Sequence, residues 1–271
     1  MTSPQDDPIR YLQQHVYAGS GIVLDTEKQY LMEARLAPIL RERGLASLHE
    51  LCEVLRSNVH SPLHAQVVDS MTTNETYFFR EPAHYDALRQ TILPELMELR
   101  SATRKLTCWS AAASTGQEAY SLAMMLLEMG LGGWNIEILG TDLSPRVLKQ
   151  AESGRYSQLE VNRGLPVTLL LKYFRRAGLE WELKEEVRRM VRFRPFDLRS
   201  GMHSLGPFDM VFCRNVLIYF DDLSRKAVVD HFYNALNPGG YVFLGHSESV
   251  GRVTAAFKLK RFETHLVYIK E

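Results

Sequence analysis

Cysteine is scarce in this chain, and its scarcity excludes a good deal. Cys52, Cys108 and Cys213 are the only three among 271 residues, too few and too unevenly spaced for a disulfide framework or a cysteine metal site. Two of them lie in apolar, strand-like runs, so all three are expected as reduced, buried thiols. No apolar run approaches the roughly 20 residues that span a bilayer. The opening residues MTSPQDDPIR are polar and acidic, unlike a secretory signal. An excess of one charge is missing too. Lysine plus arginine and aspartate plus glutamate number 32 each, so no global field favours nucleic acid. The nine histidines show no H-E-x-x-H or comparable spacing, and no metal is expected. Internal repeats and low-complexity tracts are also absent. What remains is an ordinary soluble composition, 45% hydrophobic and 24% charged, read as cytoplasmic and not membrane-inserted.

Two regions differ in pattern. Residues 1–85 read as a helical domain. Thr26 with Gln29, and Ser47 with Glu50, are capping-box spacings that open helices. Gly44 is a stop, and Pro62 to Met71 is a further short helix. Pro82 opens another, and Ile92 to Ser101 leads into the first strand. Residues 86–271 alternate strand and helix, which implies a parallel sheet with crossover helices. Strands are expected at 106–109, 136–139, 191–198, 208–213 and 241–245. Helices are expected at 117–129, 145–154 and 221–236, and a closing antiparallel pair at 257–270. The stretch 157–191 is longer than a tight crossover needs. From its middle into the next strand, residues 172–194 hold eight basic and four acidic residues, either a solvated face or a docking surface for an acidic partner.

The most informative stretch is Lys105 to Asp142, read as strand, small-residue turn, helix and second strand ending on a carboxylate. In an open α/β sheet ligands bind at the carboxyl ends of the strands, and an acid there can hold two ribose hydroxyls. The turn SAAASTGQE lacks the G-x-G-x-x-G that brings backbone against a pyrophosphate, which counts against a nicotinamide or flavin enzyme. Small residues still let a ligand lie close. With Asp142 at the next strand end, the module points to a Rossmann-like fold binding S-adenosylmethionine (SAM).

Each candidate residue also has a plainer reading. Glu118 in a first helical turn complements the macrodipole, and Asp142 fits a TDLSP turn. Asp197 in RPFDL can be a simple strand-end acid, or can face an adenine amino group. Arg214 and Asn215 follow the apolar run of the fourth strand, where a catalytic edge belongs, with Tyr219 close behind. Otherwise Tyr219 and Phe220 are apolar anchors and Arg214 an ion-pair partner. Thr72 to Glu81, TTNETYFFRE, lies at the junction of the two regions, and Arg80 there suits a carboxylate. Asn74 and Thr76 supply neutral hydrogen bonds. Gly245 to Ser249, GHSES, is not a G-x-S-x-G nucleophile elbow, so a hydrolase is not expected.

Taken together, TTNETYFFRE, WSAAASTGQEAYS, GTDLSP, RPFDL, FCRNVLIYF, NPGGYVFLGHSES and the helical start resemble the bacterial chemotaxis receptor methyltransferase family, CheR. That resemblance implies a Rossmann-like SAM-dependent methyltransferase domain, an N-terminal all-helical domain and a small inserted antiparallel β-subdomain. It implies methyl transfer from SAM to receptor glutamates, with S-adenosylhomocysteine as product. By position, Asn74, Thr76, Arg80, Glu118, Asp142, Asp197, Leu198, Arg214 and Asn215 match cofactor-contacting residues. Arg80 and Tyr219 match the pair nearest the transferred methyl. Gln117 and Ala119 depart from the family's usual Glu and Pro. The implied partners are the receptors' methylation helices, met by Arg35, Arg41 and Arg43, and a receptor C-terminal peptide at the inserted subdomain. A monomer recruited from the cytoplasm to receptor arrays is expected. Two other classes fit part of the pattern: a SAM-dependent nucleic-acid methylase, and a non-catalytic SAM sensor. Arg214-Asn215-Val216-Leu217 is not the asparagine-Pro-Pro-aromatic motif of adenine methylases.

Overall fold

The computed structural model describes residues 7–25, 29–201, 205–251, 254–262 and 266–271. It divides into two compact units, Met1–Thr73 with Tyr219–Ser224, and Asn74–Ile218 with Arg225–Glu271.

The first unit holds α1 (Pro8–Ser20), α2 (Gln29–Arg43), α3 (Leu48–Ser57) and α4 (Leu63–Met71). Asp7 caps α1 by accepting from the Ile9 N–H, Pro8 takes the first helical position, and Gly21 ends the helix at φ 75°. At α3 the expected capping box is half made. The Ser47 hydroxyl accepts from Glu50 N, but the Glu50 carboxylate takes the N–H of Ala46. Thr26, expected to cap α2, lies outside the described residues. Apolar residues four apart (Leu12 and Val16, Leu51 and Leu55, Leu63 and Val67 with Met71) form the buried core. Each such side chain contributes about 1.5–3 kcal/mol on burial. The short stretch 219–224 belongs to this unit through an Ile22–Phe220 bridge and a Tyr17 to Asp221 hydrogen bond of 2.7 Å. Arg35 is half-buried. It donates to the Met71 and Thr72 carbonyls and to Thr73 Oγ1, closing the end of α4.

The second unit opens with α5 (Pro82–Ala87), a π-turn, and α6 (Leu93–Leu99), continuous with one another. Next come β1 (Lys105–Ala111), α7 (Gln117–Glu128), β2 (Asn135–Asp142) and α8 (Pro145–Ser153). An inserted segment follows: β3 (Arg155–Ser157), α9 (Gln158–Asn162), α10 (Val167–Tyr173), β4 (Phe174–Ala177), β5 (Glu180–Leu183) and α11 (Glu185–Arg188). The main fold resumes with β6 (Val191–Pro195), β7 (Phe208–Cys213), α12 (Asp222–Ala235), β8 (Leu236–Leu244), β9 (Lys258–Arg261) and β10 (Leu266–Ile269). The strand order is β6-β2-β1-β7-β8-β10-β9. The first five strands run parallel, β10 runs against them, and β9, antiparallel to β10, returns to the common direction, the order expected of a Rossmann-like methyltransferase sheet.

Alternation along β1 sorts its side chains. Leu106 and Cys108 join the core with α7 residues such as Leu122 and Met125, while Trp109 packs on Phe196, Phe208 and Phe232. Phe78, Tyr85, Leu88 and Ile92 belong to that same core, so residues 74–85 pack with the larger unit although the helical region was expected to reach about residue 85. The Asn237-Pro238-Gly239-Gly240 turn is absorbed into β8 as an irregularity, because Gly239 N donates to Lys270 O and Lys270 N to Gly240 O.

The inserted segment forms its own antiparallel sheet, β3-β5-β4. Tyr156 is fully buried against Phe78 and Phe174. Much of the basic charge here is engaged locally. Arg155, Arg175 and Arg188 surround Glu182, Lys172 meets Glu128, and Arg176 stacks over Trp181.

Candidate functional site

The carboxyl end of β1 turns on small residues because the backbone there is left-handed, with φ 60° at Ala112, 50° at Ser114 and 92° at Gly116. A Cβ on Gly116 would lie 3.0 Å from Ala151 Cβ and 3.1 Å from the Phe193 ring, so glycine is what lets the turn sit against α8 and β6. Ala113 N donates to Thr141 O at 2.8 Å, holding the turn beside the end of β2. Asp142, the last residue of β2, is buried. Its Oδ2 accepts the Ser114 N–H and its Oδ1 the Ser144 N–H, both at 2.9 Å. Ser144 also caps α8, and the Ser114 hydroxyl donates to the Asn74 carbonyl at 2.8 Å. Asp142, the turn and Asn74 are thereby one assembly.

A second assembly lies at the ends of β1 and β7. Glu118, in the first turn of α7, accepts from Ser110 Oγ at 2.7 Å and from Arg214 Nη1 at 3.2 Å. Arg214 directly follows β7, and its side chain is only 2% exposed. Its Nη2 reaches Glu81 Oε2 at 3.2 Å and also donates to the Arg80 carbonyl. Burial opposes the Arg214 charge, but Glu118 and Glu81 outweigh it and hold its pKa above the ordinary value. Burial likewise opposes the Glu81 charge. His84, Arg214 and the His246 N–H prevail, keeping this carboxyl well below the usual range.

Backbone strain concentrates around these groups. Among the described residues six non-glycine positions have left-handed φ, and five of them, Phe79, Glu81, Ala112, Ser114 and Asn215, lie in these loops. Such conformations cost on the order of 1–3 kcal/mol each and persist where surrounding contacts over-determine them. Phe79 is held by its N–H to Ser121 Oγ at 3.0 Å.

Of the expected residues, Arg80, Glu118 and Arg214 meet in the second assembly, and Asn74 and Asp142 in the first. Thr76 is half-buried in the same loop as Asn74. Arg80 also donates to the Glu75 carbonyl at 3.0 Å, with its guanidinium over Tyr77. Asp197 joins neither assembly: Arg199 grips its carboxylate through Nε and Nη2 at 3.1 and 2.7 Å. Leu198 is buried, its carbonyl 3.0 Å from His231 Nδ1. Tyr219 falls in the first unit, where its carbonyl accepts from Val23 N at 2.9 Å. Glu81 was missed as a site residue. The sequence signal for it is an acid one residue beyond Arg80 and immediately before a helix-opening proline.

The residues present fit SAM as a ligand. Arg214 Nε and Asn215 Oδ1 are buried with no hydrogen-bond partner among the described residues, one donor and one acceptor beside the strand ends. Glu118 and Asp142 supply carboxylate acceptors of the kind a ribose diol takes, and Asp142 is pre-oriented by two peptide N–H groups. Two carboxylates, Glu81 and Glu118, share the buried Arg214 cation, and this triad by itself carries one net negative charge, which suits a cationic sulfonium.

Both regions of the chain match known proteins. Residues 7–72 match the family model of the CheR methyltransferase all-alpha domain, and residues 74–266 that of the CheR methyltransferase SAM binding domain. Chemotaxis protein methyltransferase 1 of Pseudomonas aeruginosa is 39% identical over 254 residues, 92% of each chain. Chemotaxis protein methyltransferase 1 of Vibrio cholerae is also 39% identical over 254 residues, 92% of this chain and 91% of that one. A chemotaxis protein methyltransferase of Vibrio parahaemolyticus is 37% identical over 269 residues, 97% and 96% of the two chains. The chain belongs to the CheR methyltransferase family.

Proposed function

We propose that this protein methylates glutamate side-chain carboxylates of chemoreceptors, forming glutamyl methyl esters in chemotactic adaptation. Membership of the CheR family makes it a SAM-dependent methyltransferase of chemotaxis; the glutamate acceptor is the finer reading. When bound, SAM supplies a methyl group on a positively charged sulfur. A glutamate of ordinary pKa, about 4.3, is already ionised at neutral pH, so the chain need not provide a general base. Its task is to orient and to exclude water, and orientation alone can be worth roughly 7–11 kcal/mol.

In this reading Glu118 and Asp142 hold the cofactor, with Asn74, Thr76, Asp197, Leu198, Arg214 and Asn215 around it. Arg80 and Tyr219 orient the reacting groups and shuttle no proton. The observation that carries the reading is the buried Arg214 shared between Glu118 and Glu81. A fixed cation there organises two loops without neutralising the site. Receptor methylation helices are the substrate. A receptor C-terminal peptide is a candidate for an outer strand of the inserted sheet, β3 or β4, where an extended segment adds by backbone pairing. Among the described residues no helix is long and apolar enough to cross a membrane; the working location in this reading is the cytoplasmic face of receptor arrays.

The test is to incubate the protein with SAM and receptor-bearing membranes and map the methylated residues by mass spectrometry. Methyl esters on receptor glutamates are expected. Methyl groups on nucleic acid, or on receptor lysines, would refute the proposed acceptor.

A further inference from the structure

Glu248 lies in the Gly245 to Ser249 run that follows β8, and no part of the chemistry above uses it. Its carboxylate accepts four backbone N–H groups. Asn215 and Gly245 donate to Oε2 at 2.6 and 2.7 Å, and Val216 and Ile218 to Oε1 at 2.8 and 3.3 Å. The residue is buried, and among the described residues no basic side chain pairs with it. A buried carboxylate ordinarily needs a cation. Here inward-turned peptide dipoles take that role, as in a backbone anion nest.

Three of the four donors belong to one stretch, 215–218, which runs from Arg214 toward Tyr219. Asn215 holds φ 61°, a conformation that turns its N–H inward. Gly245 is required by the closeness of the contact. A Cβ there would fall 2.7 Å from Asn215 Nδ2 and 2.8 Å from Glu248 Oε2.

We propose that Glu248 is a positioning residue for methyl transfer, an internal anion that fills a backbone nest and holds the Arg214–Ile218 loop in its working shape. It touches neither methyl donor nor acceptor. Without its carboxylate the loop's N–H groups lose their common acceptor, and Arg214, next to Asn215, loses its fixed placement against Glu118. The inference rests on the methyltransferase reading of the site and adds to it a residue acting through the loop.

The test uses the full chain with Glu248→Gln and Glu248→Ala, the first nearly isosteric in case the second folds poorly. S-adenosylhomocysteine affinity and receptor methylation are measured with formate, or with chloride at equal ionic strength. Misplacing reacting groups by about 1 Å costs on the order of 100-fold, so a kcat loss of about that size is expected in Glu248→Ala and a smaller one in Glu248→Gln. Formate, but not chloride, should restore roughly tenfold in the alanine variant by refilling the nest, and should leave the native enzyme unchanged. Wild-type affinity and kcat in Glu248→Gln, or a loss in Glu248→Ala that formate and chloride affect alike, would overturn the proposal. Should the native protein bind S-adenosylhomocysteine but methylate no receptor, the acceptor reading fails and formate-dependent binding decides on Glu248.

Discussion

Arg214 Nη1 meets Glu118 Oε2 at 3.2 Å, joining the residue after β7 to the first turn of α7 across 96 positions of sequence. Glu81 closes the group from a third loop. The cation is therefore structural and functional at once. Arg214→Met removes it and leaves two carboxylates facing one another. Breaking a buried pair by removing one partner costs about 3–5 kcal/mol. The urea midpoint should fall with the m value unchanged, and S-adenosylhomocysteine binding should be lost. Unchanged stability would mean that the carboxylates are solvated and the ion pair inert.

Glu81 links this cluster to pH. Its folded pKa lies below the ordinary 4.5, so its contribution to stability is present above that value and is lost as pH falls through the folded pKa. Glu81→Gln should flatten the dependence of unfolding free energy on pH from about pH 5 downward to about pH 2. Chemical denaturation at a series of pH values reads this directly. A variant whose acid limb superimposes on that of the native protein contradicts the assignment.

Gly164 ties the inserted subdomain to the loop carrying Asn74 and Arg80. Its φ is 81°, and an added Cβ would lie 2.0 Å from the Phe78 carbonyl oxygen. Nearby, Arg163 pairs with Glu75 and lies over the Tyr77 ring. Gly164→Ala should lower stability by about 1–3 kcal/mol from backbone strain alone, and should weaken S-adenosylhomocysteine binding as residues 74–80 shift. Calorimetry on the variant checks both. An alanine variant that melts and binds like the native chain would show that the contact relaxes freely.

Much of this architecture was legible in the residues themselves. Period and punctuation place α7 and α8 to within one residue at each end, α8 because Ser144, Pro145 and Gly154 act locally, and they place β1 and β2 with the observed strands running one to three residues further. Asp142 and Glu118 were legible for the same reason, standing at a strand end and a helix start. Glu81 and Glu248 were not, since their partners lie 133 and 33 residues away and only the fold brings them together. Asp197 shows the reverse case. Arg199, two residues on, holds its carboxylate, a local pairing that a strand-end reading overlooks. Arg35 was legible only as a basic residue of α2, since the groups its guanidinium engages at the end of α4 lie 36 to 38 residues away.

The thiols offer a check on the core. Burial pushes Cys52 up to about 11 and holds Cys108 and Cys213 above the ordinary thiol range. An aromatic disulfide reagent at mildly alkaline pH should label none of the three until denaturant unfolds the chain. Fast stoichiometric labelling of native protein would contradict the packing of β1, β7 and α3.

Orientation without proton transfer makes its own prediction for Tyr219. Tyr219→Phe should keep S-adenosylhomocysteine affinity and lose kcat by the same factor at every pH. A deficit that disappears as pH rises would identify a base, contrary to the mechanism proposed for an already ionised acceptor.

The acceptor defines the reaction, and the most direct measurement follows the methyl group itself. Receptor-bearing membranes are incubated with the protein and methyl-labelled SAM, washed, and treated with alkali. Release of labelled methanol, abolished by Arg214→Met and absent when receptors are omitted, is the predicted result. Label that stays bound through alkali, or that partitions with nucleic acid, would contradict glutamate esterification.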